Sequence, residues 1–330
     1  MALRPIDTMN YDASFPEVVS SSTLGAYQSC PRQFMYSHVL NLKPKATNIH
    51  LNAGGALASA LNVFRHSFYG AHSPYKGDIE SSLALALQDL IAYFTSHVGD
   101  ISPSEWDTLN ALPKGLPNLA VCLVAYVETF NPFDPHALHP YVDEDGKVWA
   151  EQNFAIPTQV LHPETNQPLL YSGRTDWIGQ HNGYLYVMDE KTTAQMGAKW
   201  SSQWALRGQF IGYTLGFGAS MPNLAGTWVR GICLLKDTIK MQEHPVGVGQ
   251  WLIREWWEDM NYLLEDMVRD WKRSHFRADR NKSCTGYSGC TFLTLCTKPA
   301  EHRESFSKPV FDVLKYDPMT GEDAPAGDQP

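Results

Sequence analysis

The chain has 330 residues, 43% apolar and 12% aromatic, enough for a sizeable folded core and too apolar for a disordered chain. Its formal charge of −9 weighs against a simple basic coat for nucleic acid, though a local basic groove stays open. The longest apolar run, 119–127, is too short to span a bilayer, and the N-terminal segment lacks the apolar stretch of a signal peptide, so a soluble, cytoplasmic protein is expected.

In chain order, the run from Val18 predicts a helix capped by Ser21 or Ser22 and interrupted at Pro31, which places Cys30 at a bend. Residues 56–69, 80–97 and 115–130 read as further helices, giving a helical portion over 20–145. The composition then changes. Residues 148–157, 168–179 and 184–192 are rich in branched and aromatic residues between turn formers and read as strands. A helix over 200–218 and a strand over 226–236 follow. From 251 to 271, Leu252, Trp256, Met260, Leu263, Met267 and Trp271 recur at steps of three or four, the period of an amphipathic helix whose tryptophans pack a core. Arg269, Lys272, Arg273, Arg277, Arg280 and Lys282 cluster beyond it, either as a solvated helix end or as a local basic groove. The acidic, Pro/Gly-rich tail 317–330 reads as disordered.

Asp189, Glu190 and Lys191 end the apolar strand 184–188, and their placement follows from the turn before it. Asn182-Gly183 is a strong two-residue hairpin signal. Counting outward from that turn sets His181 opposite Tyr184 and Asp176 opposite Asp189. Lys191 shares their face and Glu190 points away. Like charges so paired repel. Two facing carboxylates beside an ammonium make a plausible seat for Mg²⁺ or Mn²⁺. Asp-x-Lys alone is also compatible with a solvated hairpin end.

The segment 172–193 resembles the core of the PD-(D/E)XK nucleases, and is similar to RecB-type nuclease domains and the small exonucleases of phages and CRISPR adaptation. The shared features are Gly173-x-x-Asp176, then Asp189-x-Lys191, with Gln209-x-x-x-Tyr213 on a following helix and Glu151 on a preceding strand. Helix spacing puts Gln209 and Tyr213 on one face. The resemblance implies an α/β fold with a restriction-endonuclease-like core, a central mixed sheet flanked by helices, and a helical N-terminal portion. It implies one nuclease domain over 1–316, with its core at 146–240 and a C-terminal helix and cysteine segment at 249–300. It further implies metal held by Glu151, Asp176 and Asp189, with Lys191, Gln209 and Tyr213 completing a catalytic set. The expected substrate is DNA, single-stranded or with free ends. The expected role is exonucleolytic, in recombination, replication or repair, in a bacterial or phage-infected cell. Where such relatives often carry a metal-binding histidine, this chain has Ala58.

Cys284, Cys290 and Cys296 lie six residues apart, a spacing that suits a loop folded around something. In RecB-type relatives with an iron–sulfur cluster, one cysteine precedes the core and three follow it. By that resemblance Cys30, Cys284, Cys290 and Cys296 would hold a [4Fe–4S] cluster, with Zn²⁺ or no metal as alternatives. Cys122 and Cys233 sit in apolar runs and read as core residues. Two other functions stay open at this point: a non-catalytic DNA-binding scaffold that keeps the nuclease fold, and a zinc-stabilised interaction module.

Overall fold

Ser20 caps the first helix, its hydroxyl accepting from the Thr23 backbone while Thr23 answers the Ser20 backbone. That is one or two residues before the Ser21 or Ser22 that the sequence suggested. The computed structural model describes residues 9, 11–45, 49–98, 101–280, 282–286, 289–320 and 323–325, with residues 50, 51 and 323–325 described by backbone alone. The N-terminal segment read for a signal therefore lies almost wholly outside the described residues.

The elements in order are β1 (Val18–Ser20), α1 (Ser21–Ser29), α2 (Pro31–Phe34), a π-helical turn (Met35–Val39), β2 (Leu42–Pro44), α3 (Ile49–Tyr69), α4 (Ile79–Val98), α5 (Pro103–Asn110) and α6 (Leu116–Thr129). Then come β3 (His139–Pro140), β4 (Asn153–Leu161), β5 (Pro168–Arg174), β6 (Trp177–His181), β7 (Tyr184–Thr193), α7 (Ala198–Ser202), α8 (Gly208–Gly218), β8 (Leu224–Leu234) and β9 (Ile239–Val246). The last are α9 (Gln250–Lys272), α10 (Leu293–Cys296), α11 (Arg303–Ser307), β10 (Phe311–Tyr316) and β11 (Asp323–Pro325).

Several expectations move. The strand read at 148–157 starts only at Asn153, because Glu151 takes φ 51°, a left-handed conformation that breaks extended pairing. The strand read at 168–179 is two strands, separated at Thr175 and Asp176. Thr175 Oγ1 donates there to the carbonyls of Met188 and Trp177. The helix read at 200–218 breaks between Ser202 and Gly208. Helix α5, opened by a Ser102/Glu105 capping box, and strand β9 were not read. Within the tail expected to be disordered, Asp323–Pro325 pairs antiparallel with β10, which gives its backbone partners; residues 321–322 and 326–330 lie outside the described residues.

The fold is mixed α/β, and the chain divides into two units. One comprises residues 47–153 and 174–249. Its five-stranded sheet runs β3-β6-β7-β8-β9, with β7 and β8 parallel and every other neighbour antiparallel. Its core joins α3, α4 and α6 to the sheet through Leu57, Leu61, Leu90, Phe94 and Leu123 against Ile232 and Leu234. Helix α8 packs on β7 and β8.

The other unit comprises residues 1–46, 154–173 and 250–330. It holds the sheet β1-β5-β4 and the ribbon β11-β10-β2. Helix α9 forms where its periodicity predicts, but its buried face carries Ile253, Met260, Leu264 and Met267. Of the six residues read as its stripe only Met260 and Met267 are buried; Leu252, Trp256, Leu263 and Trp271 are half-buried, and Trp251 is exposed. Trp256 packs edge-on against Tyr171, as a core residue would. Among the described residues, no helix is long and apolar enough to cross a membrane.

Candidate active site

The hairpin turn carries φ 50° at Asn182 and φ 80° at Gly183, the two positive values a type I′ turn requires. The ladder it starts runs from His181–Tyr184 to Trp177–Met188, so Asp176 and Asp189 stand at the next step outward. Asp176 Oδ2 accepts from the Glu190 backbone N–H, which fixes the carboxyl against β7. Asp189 is 1% exposed, a charged group enclosed at the end of a core strand.

Around Asp189 a short relay closes. Gln209 Nε2 donates to Asp189 Oδ2 at 3.0 Å and to Tyr213 Oη at 2.8 Å. Tyr213 in turn donates to the Arg174 carbonyl at 2.6 Å. Both amide protons of Gln209 are thereby used. Lys191 Nζ lies 2.6 Å from Asp189 Oδ1, although that oxygen receives no well-directed hydrogen bond. Burial opposes the Lys191 charge, but Asp189 and Asp176 outweigh it and hold the lysine above its ordinary pKa. It is therefore a cation at neutral pH. Burial, then the Asp189 carboxylate, pushes Asp176 up to about 7.

These observations fit a divalent cation. Burial first, and then the neighbouring Asp189 carboxylate, raise the Asp176 carboxyl, and the enclosed Asp189 carboxylate has the Lys191 ammonium beside it. Among the described residues no group of three or more Asp, Glu, His or Cys side chains converges as metal ligands. Mg²⁺ commonly takes only one or two carboxylates and fills the rest of its shell with water and phosphate oxygen. Glu151 does not join the pair. Its backbone N–H donates to the Asp176 carbonyl, but its exposed side chain faces Arg174 at 3.9 Å.

Glu190 was expected only to point away. It is instead the centre of a buried ion network that the sequence reading missed. Arg65 of α3, Tyr126 of α6 and Trp177 Nε1 all donate to Glu190 Oε1. Arg230 of β8 donates to Tyr126 Oη at 2.6 Å and to Glu243 of β9 at 2.6 Å. One visible signal was an arginine, Arg65, within the apolar run of α3.

The cysteines of interest all belong to the other unit. Cys30 is buried at the junction of α1 and α2, where Pro31 starts the second helix, as the sequence implied. The C-terminal segment docks on it: Arg32 N–H donates to the Arg277 carbonyl, and Ser283 Oγ to the Ser29 carbonyl at 3.1 Å. Burial raises the Cys290 thiol, and Cys284 and Cys30 add to the rise. Burial likewise raises Cys296, with Cys290 and Cys30 adding and Arg32 opposing. The four thiols thus share a neighbourhood, but they are not gathered as metal ligands. Cys122 and Cys233 are buried core residues.

The basic cluster is partly neutralised, Arg269 by Asp266 at 2.6 Å and Arg277 by Asp279 at 2.8 Å. Lys272 and Arg273 line an open cavity of about 470 Å³ with Gln159 and Glu265.

Residues 18–297 match the family profile described as the PD-(D/E)XK nuclease superfamily. No curated protein matches the chain. Among solved structures, an exonuclease candidate from Eubacterium rectale is 14% identical, with TM-score 0.45 over 82% of this chain and 86% of that one. The protein SSO0001 is 13% identical, with TM-score 0.36 over 87% and 88%. At these values neither neighbour bears on function.

Proposed function

Because this chain belongs to the PD-(D/E)XK nuclease superfamily, we propose that it is a divalent-metal-dependent deoxyribonuclease, acting as an exonuclease in recombination, replication or repair. The observation that carries this reading is the juxtaposition of Asp176 and Asp189 with the Lys191 ammonium against them.

In this reading Asp176 and Asp189 hold Mg²⁺ or Mn²⁺, which would supply Lewis-acid polarisation of the phosphodiester. Lys191, kept charged, faces negative charge developing on the phosphate. Gln209 fixes the Asp189 carboxylate, and Tyr213 fixes Gln209. Both are positioning residues. Glu151 enters only by turning from Arg174, so its part in metal binding is the weakest of the set. Linear and covalently closed DNA, single- and double-stranded, incubated with Mg²⁺ or Mn²⁺, tests the proposal. Cleavage confined to substrates with free ends supports an exonuclease, and cutting of closed circles would make it an endonuclease.

A DNA-binding scaffold that has lost catalysis is the second reading, favoured by Ala58 and by the outward-facing Glu151. It predicts DNA binding without cleavage under any divalent metal. The vicinity of Cys30, Cys284, Cys290 and Cys296 supports a separate proposal, a structural [4Fe–4S] cluster or Zn²⁺ in the other unit. Hydrolysis needs no electron, so that metal would have no part in the reaction.

A further inference from the structure

Glu190 lies between Asp189 and Lys191, and the proposed chemistry does not use it. Its side chain is 5% exposed, and three donors from three elements converge on one of its oxygens: Arg65 of α3, Tyr126 of α6 and Trp177 of β6. The Tyr126 hydroxyl also accepts from Arg65 at 3.2 Å and from Arg230 at 2.6 Å. Its single proton and both lone pairs are therefore occupied. The Trp177 ring takes both guanidinium groups, each 4.8 Å from its centroid, and Phe130 takes Arg230 at 3.9 Å. With Glu243 on Arg230, two cations meet two anions.

Stability alone does not explain this arrangement, because apolar residues of similar size commonly hold a core as well as a buried ion network does. Geometry does explain it. Side chains alternate along a strand, so a slip of one residue exchanges the two faces. At this point of β7 a slip that brought Glu190 to the place of Asp189 would keep a carboxylate there but would replace Lys191 by Thr192. The pairing of β7 with β8 shifts register between Leu185 and Tyr186, so this ladder already accommodates one irregularity. The slip is opposed because it would strand the buried Arg65 without its anion and take Glu190 from the vicinity of Arg230, which would keep Glu243.

We infer that the Arg65–Tyr126–Glu190–Arg230 network is the positioning device of the active site, clamping β7 from one face so that Asp189 and Lys191 are presented on the other. The inference rests on the reading of Asp189 and Lys191 as the reacting site. All four are positioning residues, and none touches DNA or metal in this account.

The test uses the full chain with Tyr126→Phe, which keeps the ring and removes the hydroxyl, and Glu190→Gln, which keeps the shape and removes the charge. Arg65→Met and Arg65→Lys form a conservative pair. In metal-free protein, amide hydrogen exchange over 186–193 should quicken in Tyr126→Phe and Glu190→Gln by about tenfold or more beyond any change in α4. The Mn²⁺ concentration for half-maximal cleavage should rise several-fold, with KM for DNA unchanged. Arg65→Lys should recover part of what Arg65→Met loses. Folded variants with unchanged β7 exchange and unchanged Mn²⁺ requirement would overturn the inference. So would exchange that quickens uniformly, which is mere loss of stability. A wild-type protein that neither binds Mn²⁺ nor cleaves DNA would end the functional reading, while the exchange arm would still decide whether the clamp exists.

Discussion

Asp189 and Glu190 are adjacent on β7, yet their carboxylates sit in opposite surroundings. Asp189 faces Gln209 and Lys191, whereas Glu190 faces Arg65 and Tyr126. Strand alternation produces the division, and it separates a candidate reacting group from a structural one. Burial would raise Glu190, but Arg65 and Tyr126 hold it below the usual carboxylate value. Removing one partner leaves a buried charge uncompensated. Arg65→Met should therefore cost about 3–5 kcal/mol in urea unfolding. A loss below about 1 kcal/mol, the scale of an exposed pair, would contradict the burial argument.

Asp176 carries a pH signature. Its folded pKa is raised from 3.8 to about 7 by burial and by Asp189. A raised value means that the group favours folding at low pH, and that this contribution is lost as pH rises through the folded value. In EDTA, wild-type protein should lose stability between about pH 4 and pH 7 relative to Asp176→Asn, by a few kcal/mol at most. Saturating Mn²⁺ should shrink the difference at pH 8, because the cation replaces the proton as the carboxyl's partner. Parallel denaturation curves for the two proteins across that range would show that the pair is not strained.

Gly231 pairs with Lys191 in the β7–β8 ladder and lies under the buried Trp200 ring. A Cβ at Gly231 would come within 2.3 Å of that ring. Gly231→Ala should destabilise by about 1–3 kcal/mol through overpacking. Cleavage should fall with it if the strain reaches Lys191. A thermal melt equal to wild type would mean that Trp200 has room to move.

The cysteines divide by unit. Protein purified without oxygen or chelator should contain iron or zinc, and Cys30→Ser or Cys290→Ser should remove it. Cys122 is buried in the helical core, where desolvation pushes its thiol up to about 12, and Cys122→Ser should leave the metal content intact. Protein with neither metal would remove the cluster proposal without touching Asp176 and Asp189.

The acidic hairpin was legible because its determinants are local. Asn182 and Gly183 fix the turn, and counting does the rest. The long helices α3, α4, α6 and α9 were legible for the same reason, since each repeats its apolar face over several turns. The Glu190 network was not legible. The hydrogen-bonded pairs among Arg65, Tyr126 and Glu190 lie 61 to 125 residues apart, and no spacing rule joins them. Nor was the start of β4, because the left-handed turn at Glu151 is a choice made by tertiary packing at a residue with no strong preference for it. Continuous aromatic content likewise hid the break between α7 and α8, where Trp200, Trp204 and Phe210 pack against one another across non-helical chain.

The central claim is that Asp176 and Asp189 form a divalent-metal site for DNA hydrolysis. Its most direct measurement is the cleavage of end-labelled linear DNA by wild-type and Asp189→Asn proteins, with Mn²⁺ binding measured on the same samples by calorimetry. The account predicts that wild type binds Mn²⁺ and releases nucleotides, that EDTA stops it, and that folded Asp189→Asn does neither. Folded Asp189→Asn that binds Mn²⁺ and cleaves like wild type would contradict it.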